Sequence, residues 1–263
     1  MHPAPFVAAA LRPAGRNAIL PAASGVKGKF VNNVLRFGNG PDGQPDFAAD
    51  RDSGMAVIAF VSSAGGTGRT MLAAHIAAQA GRAGDGPVAV LDADPKGNLW
   101  DWWTRRQGKG GAPSCADRAA AGKLDEALAR LSGQGARLCL IDTPAGDADA
   151  LAPVADSADL IVIPADADAD GAKEASALGR ALAGRATIAF VINARSHAGE
   201  QQGNLTSRLA AGGGWPAGMV RHADAYAASM TAGRTVIETH PDIYAAQDIA
   251  ELWANLRGIL VAG

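Results

Sequence analysis

The sequence predicts an α/β fold: a doubly wound, mainly parallel sheet with helices on both faces. Three observations predict it. Short continuous apolar runs recur along the chain, each bounded by turn residues, as strands buried on both faces should be. Stretches of helical pattern separate them. Several runs end in glycine-rich or acidic turns, at the strand ends where such sheets bind ligands. A length of 263 residues fits one such domain plus a tail.

Residues 1–54 stand apart from this pattern. Met1–Phe37 carries Arg12, Arg16, Lys27, Lys29 and Arg36 and no acid. The following GNGPDGQPDFAADRDSG is turn-rich and acidic, as a linker is. The segment is expected to be a partly disordered basic arm. Its functional alternative is an arm that touches DNA, a partner or an acidic surface. Within it, GKFVNNVLRF is expected to form a short amphipathic helix on contact.

Residues 55–263 carry the regular pattern. MAVIAFV opens it as the first strand. VAVLD (Val88–Asp92), RLCLID (Arg137–Asp142), DLIVIP (Asp159–Pro164) and TIAFVIN (Thr187–Asn193) repeat its signature. Helices are expected over Thr70–Arg82, Ala116–Leu131 and Ala167–Ala183. No repeat at solenoid periods is present.

The chemistry concentrates at three strand ends. The first strand runs into Ser63-Ala64-Gly65-Gly66-Thr67-Gly68-Arg69-Thr70 and then a helix. Glycines let backbone N–H groups turn inward around an anion, and the helix N-terminus adds partial positive charge. Thr70 stands where a hydroxyl binds Mg²⁺. The second strand ends LDADPKGN, and alternation puts Asp92 and Asp94 on one side of the backbone. One can hold a metal-bound water while the other orients an attacking water; the plainer reading is turn carboxylates or helix caps. The third ends LIDTPAG, where Asp142 can accept a hydrogen bond from a metal-bound water.

In this order, AGGTGRT, DADPKGN and IDTP resemble the motifs of the ParA/MinD group of P-loop ATPases, the deviant Walker A class, nearest its short partition-type members. The tail AGRTVIETHPDIYAAQDIAELWANL and the WDWW after the second motif are similar to partition-type segments. The resemblance spans Met55 to about Leu260 and leaves out the arm. It implies a P-loop NTPase fold that binds ATP or ADP with Mg²⁺ between two facing subunits. It further implies ATP-dependent homodimerisation, positioning or segregation of cargo, a partner protein that stimulates release or is scaffolded, and contact with non-specific DNA or a membrane. Gly65, Gly66, Thr67, Gly68, Arg69, Thr70 and Met71 would then hold the nucleotide. Thr70 and Asp142 would hold Mg²⁺, Asp142 through water. Asp94 would position the attacking water with Asp92 nearby, and Asn193 would contact adenine.

Two departures touch the central chemistry. The group's signature lysine, which crosses the dimer to the other subunit's phosphates, aligns with Ala64. Its second lysine, which binds phosphate in its own subunit, aligns with Arg69. Arginine keeps a permanent charge, but its planar fork is wider than an ammonium. It either displaces the γ-phosphate, juts outward, or compensates in part through a bidentate phosphate contact. Losing a cationic clamp in trans costs on the order of 10³-fold in rate, so hydrolysis is expected to be weak or lost. Nucleotide binding is expected to survive.

The remaining features bound the function. The net charge of -2 gives no global sign of nucleic-acid binding, so any such contact must be a local patch. Arg105, Arg106 and Lys109 form one candidate, and Arg221, His222 and Arg234 another; a solvated basic surface is the plain alternative for both. Trp100, Trp102 and Trp103 suit an interface or the core, while Trp253, at helical spacing with Ile249 and Leu256, suits the core. No apolar run is long enough to span a bilayer and no secretory core is continuous. A cytoplasmic protein, with nucleoid association compatible and membrane insertion not expected, is the reading. Cys115 and Cys139 lack metal-site spacing, and Cys139 sits in an apolar run. The alternative function is a non-enzymatic pseudo-ATPase adaptor of a secretion, polysaccharide or conjugation machine. A biotin-type synthetase or an electron-transferring iron protein fits least, since no cysteine follows Cys139.

Overall fold

The computed structural model describes residues 29–31, 34–36, 54–194 and 202–262. In the basic arm, β1 (Lys29–Val31) and β2 (Val34–Arg36) pair antiparallel, with Lys29 opposite Arg36. The chain alone pairs these residues as strands, where the sequence offered a short helix on contact. Phe30, Val31 and Val34 are aromatic or β-branched and favour an extended backbone. The rest of the arm and the linker, with the expected partial disorder, lie outside the described residues.

The sheet of the main domain has seven strands. In chain order they are β3 (Ala56–Phe60), β4 (Val88–Asp92), β5 (Cys115–Arg118), β6 (Leu138–Asp142), β7 (Leu160–Asp166), β8 (Thr187–Asn193) and β9 (Trp215–Val220). Their spatial order is β5-β4-β6-β3-β7-β8-β9, and every pairing is parallel. A parallel neighbour needs a crossover, and helices supply most of them. On one face lie α1 (Arg69–Arg82), α2 (Asn98–Arg106), α7 (Asp224–Thr231), α8 (Val236–Thr239) and α9 (Tyr244–Ala262). The other carries α3 (Leu124–Gly133), α4 (Ala148–Asp156), α5 (Ala169–Leu182) and α6 (Gln202–Ala210).

Strand alternation divides the core accordingly. Ile58, Phe60, Val88 and Val90 pack with Leu72, Trp102, Trp253 and Leu256 on the first face. Val57, Ala59, Ala89 and Leu91 pack with Leu131, Leu151 and Leu182 on the second. Trp253, Ile249 and Leu256 are core residues, as their spacing predicts.

The expected helix over 116–131 is corrected. Cys115–Arg118 is an edge strand paired with β4, a 3₁₀ turn covers Ala121–Lys123, and the helix starts only at Leu124. Ala116, Asp117 and Arg118 have little strand propensity; the ladder to β4 overrides it. The sequence reading also lacked α2, α4, α6, α7, α8 and β9.

Strand β3 lies between β6 and β7. From β3 the chain winds outward through β4, returns to β6, and then passes to the other side at β7. The winding direction therefore reverses about β3, and the crevice for a ligand opens at its carboxyl end.

Candidate functional site

The loop between β3 and α1 begins in that crevice. Gly66 (φ 77) and Gly68 (φ 94) both take left-handed backbone, which L side chains rarely adopt. A Cβ on Gly68 would lie 2.2 Å from Asn193 Nδ2, so the position needs glycine on two counts. Gly65 and Gly66 are exposed, whereas Thr67 is buried. The loop is braced from within. Ser62 Oγ donates to the Ala64 carbonyl at 2.7 Å, and Thr67 Oγ1 donates to Ser62 Oγ at 3.0 Å. Asn193, at the end of β8, donates from Nδ2 to the Thr67 carbonyl at 2.8 Å. One N–H of its amide is thus committed beneath the loop.

Arg69 does not jut outward. It is buried, 8% exposed, and its Nη1 donates to the Ala64 carbonyl at 2.8 Å. The guanidinium thereby links the two ends of the glycine loop. Its Nε is buried with no partner. Burial pulls the Arg69 pKa below its ordinary value, and the charges of Asp142 and Asp94 oppose that shift. An unsatisfied buried N–H costs about 1–3 kcal/mol, so this atom is poised for an acceptor.

The next residue meets the carboxylate at the end of β6. Thr70 Oγ1 donates to Asp142 Oδ2 at 2.5 Å. Asp142 Oδ1 is buried with no partner. Burial pushes the Asp142 pKa up to about 7; the Thr70 hydroxyl pulls it down and Asp92 pushes it further up. Residues Phe60 and Asp142 are opposite one another in the β3–β6 ladder, and Asp92 is opposite Asp142 in the β4–β6 ladder. Register alone therefore gathers the three strand ends.

Asp92 and Asp94 take different roles. Asp92 accepts from the backbone N–H of Asp94 at 3.0 Å and of Trp100 at 2.8 Å. It braces its own turn and the first turn of α2, so the helix-cap reading describes its contacts. Burial raises its pKa, against those two N–H groups and Arg118. Asp94 accepts from the Lys96 N–H at 2.9 Å through Oδ1 and acts electrostatically on both Arg69 and Asp142.

These residues fit a phosphate-bearing ligand with a divalent cation. Arg69 Nε lacks an acceptor and Asp142 Oδ1 lacks a donor, and a phosphate oxygen and a metal-bound water would supply them. A magnesium ion is held by few protein oxygens and keeps its waters, so Thr70 and Asp142 suffice as its protein side. Among the described residues no cluster of three His, Cys, Asp or Glu forms an all-protein metal cage.

The expected basic patches are rearranged. Arg106 is buried, pairs with Glu238 through two hydrogen bonds and lies 5.3 Å from the Trp102 ring centroid, so it leaves the surface set. Arg221 is tied to Asp248 at the start of α9 and stacks over Tyr244. The loop after α7 packs on the end of α2: Lys109 Nζ donates to the Ala232 carbonyl at 2.6 Å, and Trp102 Nε1 donates to the Arg234 carbonyl at 3.0 Å. Exposed Arg105, Lys109 and Arg234 therefore share one surface that the sequence divides between two segments. Trp102 is core, while Trp100 and Trp103 are half-buried.

Comparison with known proteins agrees with this fold. Residues 55–178 match the family model described as VirC1 protein. The chain superposes on the cell division ATPase MinD of Pyrococcus furiosus at TM-score 0.65 and 18% identity, covering 78% of this chain and 99% of that one. MinD from Pyrococcus horikoshii OT3, complexed with Mg-ADP, superposes at 0.63 and 18% identity, over 76% and 94%. A putative plasmid partition protein from Borrelia burgdorferi B31, bound to AMPPNP, superposes at 0.56 and 14% identity, over 79% and 98%. No protein of curated function matches the sequence. Among the described residues no helix is long and apolar enough to cross a membrane.

Proposed function

We infer that the chain, a P-loop protein of the ParA/MinD type, binds a magnesium nucleotide at the β3–α1 loop and uses it to position or segregate cargo, with weak or lost hydrolysis. One observation carries the nucleotide reading: a buried guanidinium N–H without an acceptor beside a buried carboxylate oxygen without a donor. Anion and cation complete each other there.

In this reading the N–H groups of Gly65, Gly66, Thr67, Gly68 and Thr70 cradle the phosphates, with Met71 following in the first turn of α1. Arg69 supplies the charge. Thr70 and Asp142 hold Mg²⁺, which when bound neutralises phosphate charge. Asp94 is the carboxylate for positioning a water, because backbone N–H groups take both oxygens of Asp92 but only Oδ1 of Asp94. Asn193 serves first as a brace under the loop. A second copy of the chain is the partner that would cover exposed Gly65 and Gly66, giving nucleotide-dependent dimerisation. The exposed Arg105, Lys109 and Arg234 surface suits DNA, which would favour a cytoplasmic, nucleoid-associated setting.

Ala64 favours the second reading, a non-enzymatic adaptor. Its side chain brings no charge to a facing subunit, and its carbonyl already accepts from Ser62 and Arg69. Both readings share the nucleotide site and differ in turnover.

The test is calorimetry of the purified protein with MgATP and MgADP, with light scattering on the same samples. Saturable binding with a mass shift towards dimer is expected, with phosphate release near background. An absence of binding to either nucleotide would sink the reading.

A further inference from the structure

Arg69 is tied across the loop it belongs to. Its Nη1 rests on the Ala64 carbonyl, so the guanidinium fixes the span of the loop, and its position is not free to follow an incoming group. Three buried carboxylates, Asp92, Asp94 and Asp142, end in the same crevice as this buried cation. Asp142 and Asp94 act on Arg69 directly, and Asp92 acts on Asp142. Arg118 also acts on Asp92, but it is exposed and its Nη2 donates to the Pro95 carbonyl at 3.5 Å. With all three carboxylates ionised, a divalent cation brings the buried group to formal neutrality. Each further phosphate charge then meets carboxylates with no new cation to balance it, since Ala64 adds none.

We propose that Arg69 makes this a nucleoside-diphosphate site, in which a third phosphate adds no affinity; this rests on the nucleotide reading above. The buried, unpartnered Arg69 Nε would be satisfied by one phosphate oxygen. A lysine ammonium in its place would be a compact point charge with three donors, free to sit between two phosphates. The planar fork, anchored at Nη1 by Ala64, cannot re-centre between two phosphates without giving up that bond. The resident state is then the diphosphate form with its cation, and the protein behaves as a loaded scaffold instead of a switch driven by the triphosphate.

The experiment is calorimetry on the full chain with MgADP and with MgAMPPNP, which cannot be hydrolysed to the diphosphate. Native protein and Arg69→Lys are compared, with circular dichroism to check folding. For the native protein the AMPPNP affinity is expected to be no more than about threefold above that for ADP. Arg69→Lys is expected to shift the ratio towards AMPPNP by about tenfold. A native preference for AMPPNP above that threefold limit overturns the inference and leaves the nucleotide reading standing. An unchanged ratio in Arg69→Lys overturns the role of Arg69. Failure of both nucleotides to bind overturns inference and reading together. The native ratio decides even where the variant fails to fold.

Discussion

Arg106 and Glu238, 132 positions apart, form a two-pronged ion pair, Nη1 to Oε2 at 2.9 Å and Nη2 to Oε1 at 2.7 Å. The pair ties the end of α2 to the short helix α8. Glu238 also accepts from the Thr235 N–H and hydroxyl, both at 2.7 Å, which closes the capping box of α8. Arg106 is 2% exposed, so Glu238 stands in for the water it has lost. Glu238→Ala is expected to destabilise the protein by about 3–5 kcal/mol, because it strands a buried guanidinium. Urea denaturation measures it. A loss below about 1 kcal/mol would mean that water reaches Arg106.

His75 gives the protein an acid-side weakness. It is fully buried on α1, its Nδ1 lies 2.8 Å from the Met71 carbonyl, and it meets Tyr226 edge-on. A carbonyl only accepts, so Nδ1 carries the proton of the neutral ring. Burial lowers its pKa from 6.5 to about 4, against the pull of the Met71 carbonyl and Glu238. Between those two values the unfolded chain binds a proton that the folded chain does not. Stability therefore rises with pH through this window and is lost as pH falls from 6.5 towards 4, by about 3 kcal/mol in total. Melts at several pH values should show this slope in the native protein and a flatter one in His75→Gln. Equal slopes would place the acid sensitivity elsewhere.

Asn193 separates a brace from a base contact. One N–H of its Nδ2 is given to the Thr67 carbonyl at 2.8 Å. Asn193→Ala leaves that buried carbonyl unpaired, and a loss of about 1–3 kcal/mol in stability is expected. The same loosened loop should weaken ATP and GTP binding alike. A fall confined to ATP, measured by titration of both nucleotides, would show that Asn193 reads the base instead.

Much of the fold could be read because its strands bury both faces. Ala56–Phe60 and Thr187–Asn193 are continuous apolar runs, and the structure keeps them nearly residue for residue. Cys115–Arg118 could not be read, since an edge strand gains its conformation from one neighbour and not from its own composition. The loop and three carboxylates were visible as motifs at strand ends. Which carboxylate braces a turn was not, because Asp92 is assigned by the Trp100 N–H eight residues on. Arg106 looked like a surface cation because its partner, Glu238, comes from a distant segment. The joining of Lys109 to the Arg234 segment depends likewise on the α2–α7 contact.

That joined surface yields the last prediction. Arg105, Lys109 and Arg234 are exposed, and they lie where the loop after α7 meets the end of α2. Phosphate contacts release counterions, so log affinity for duplex DNA falls with log salt by about 0.9 per neutralised phosphate. If DNA binds here, replacing all three residues by alanine should flatten that slope by about 2–3. Arg221→Ala should change it little, because Asp248 already holds that guanidinium. Fluorescence anisotropy over a range of salt, with and without MgADP, measures both. A slope unchanged in the triple variant would move the DNA contact to another surface, and the absence of native binding at low salt would remove DNA from the reading altogether. Neither result bears on the nucleotide site, which is argued from other residues.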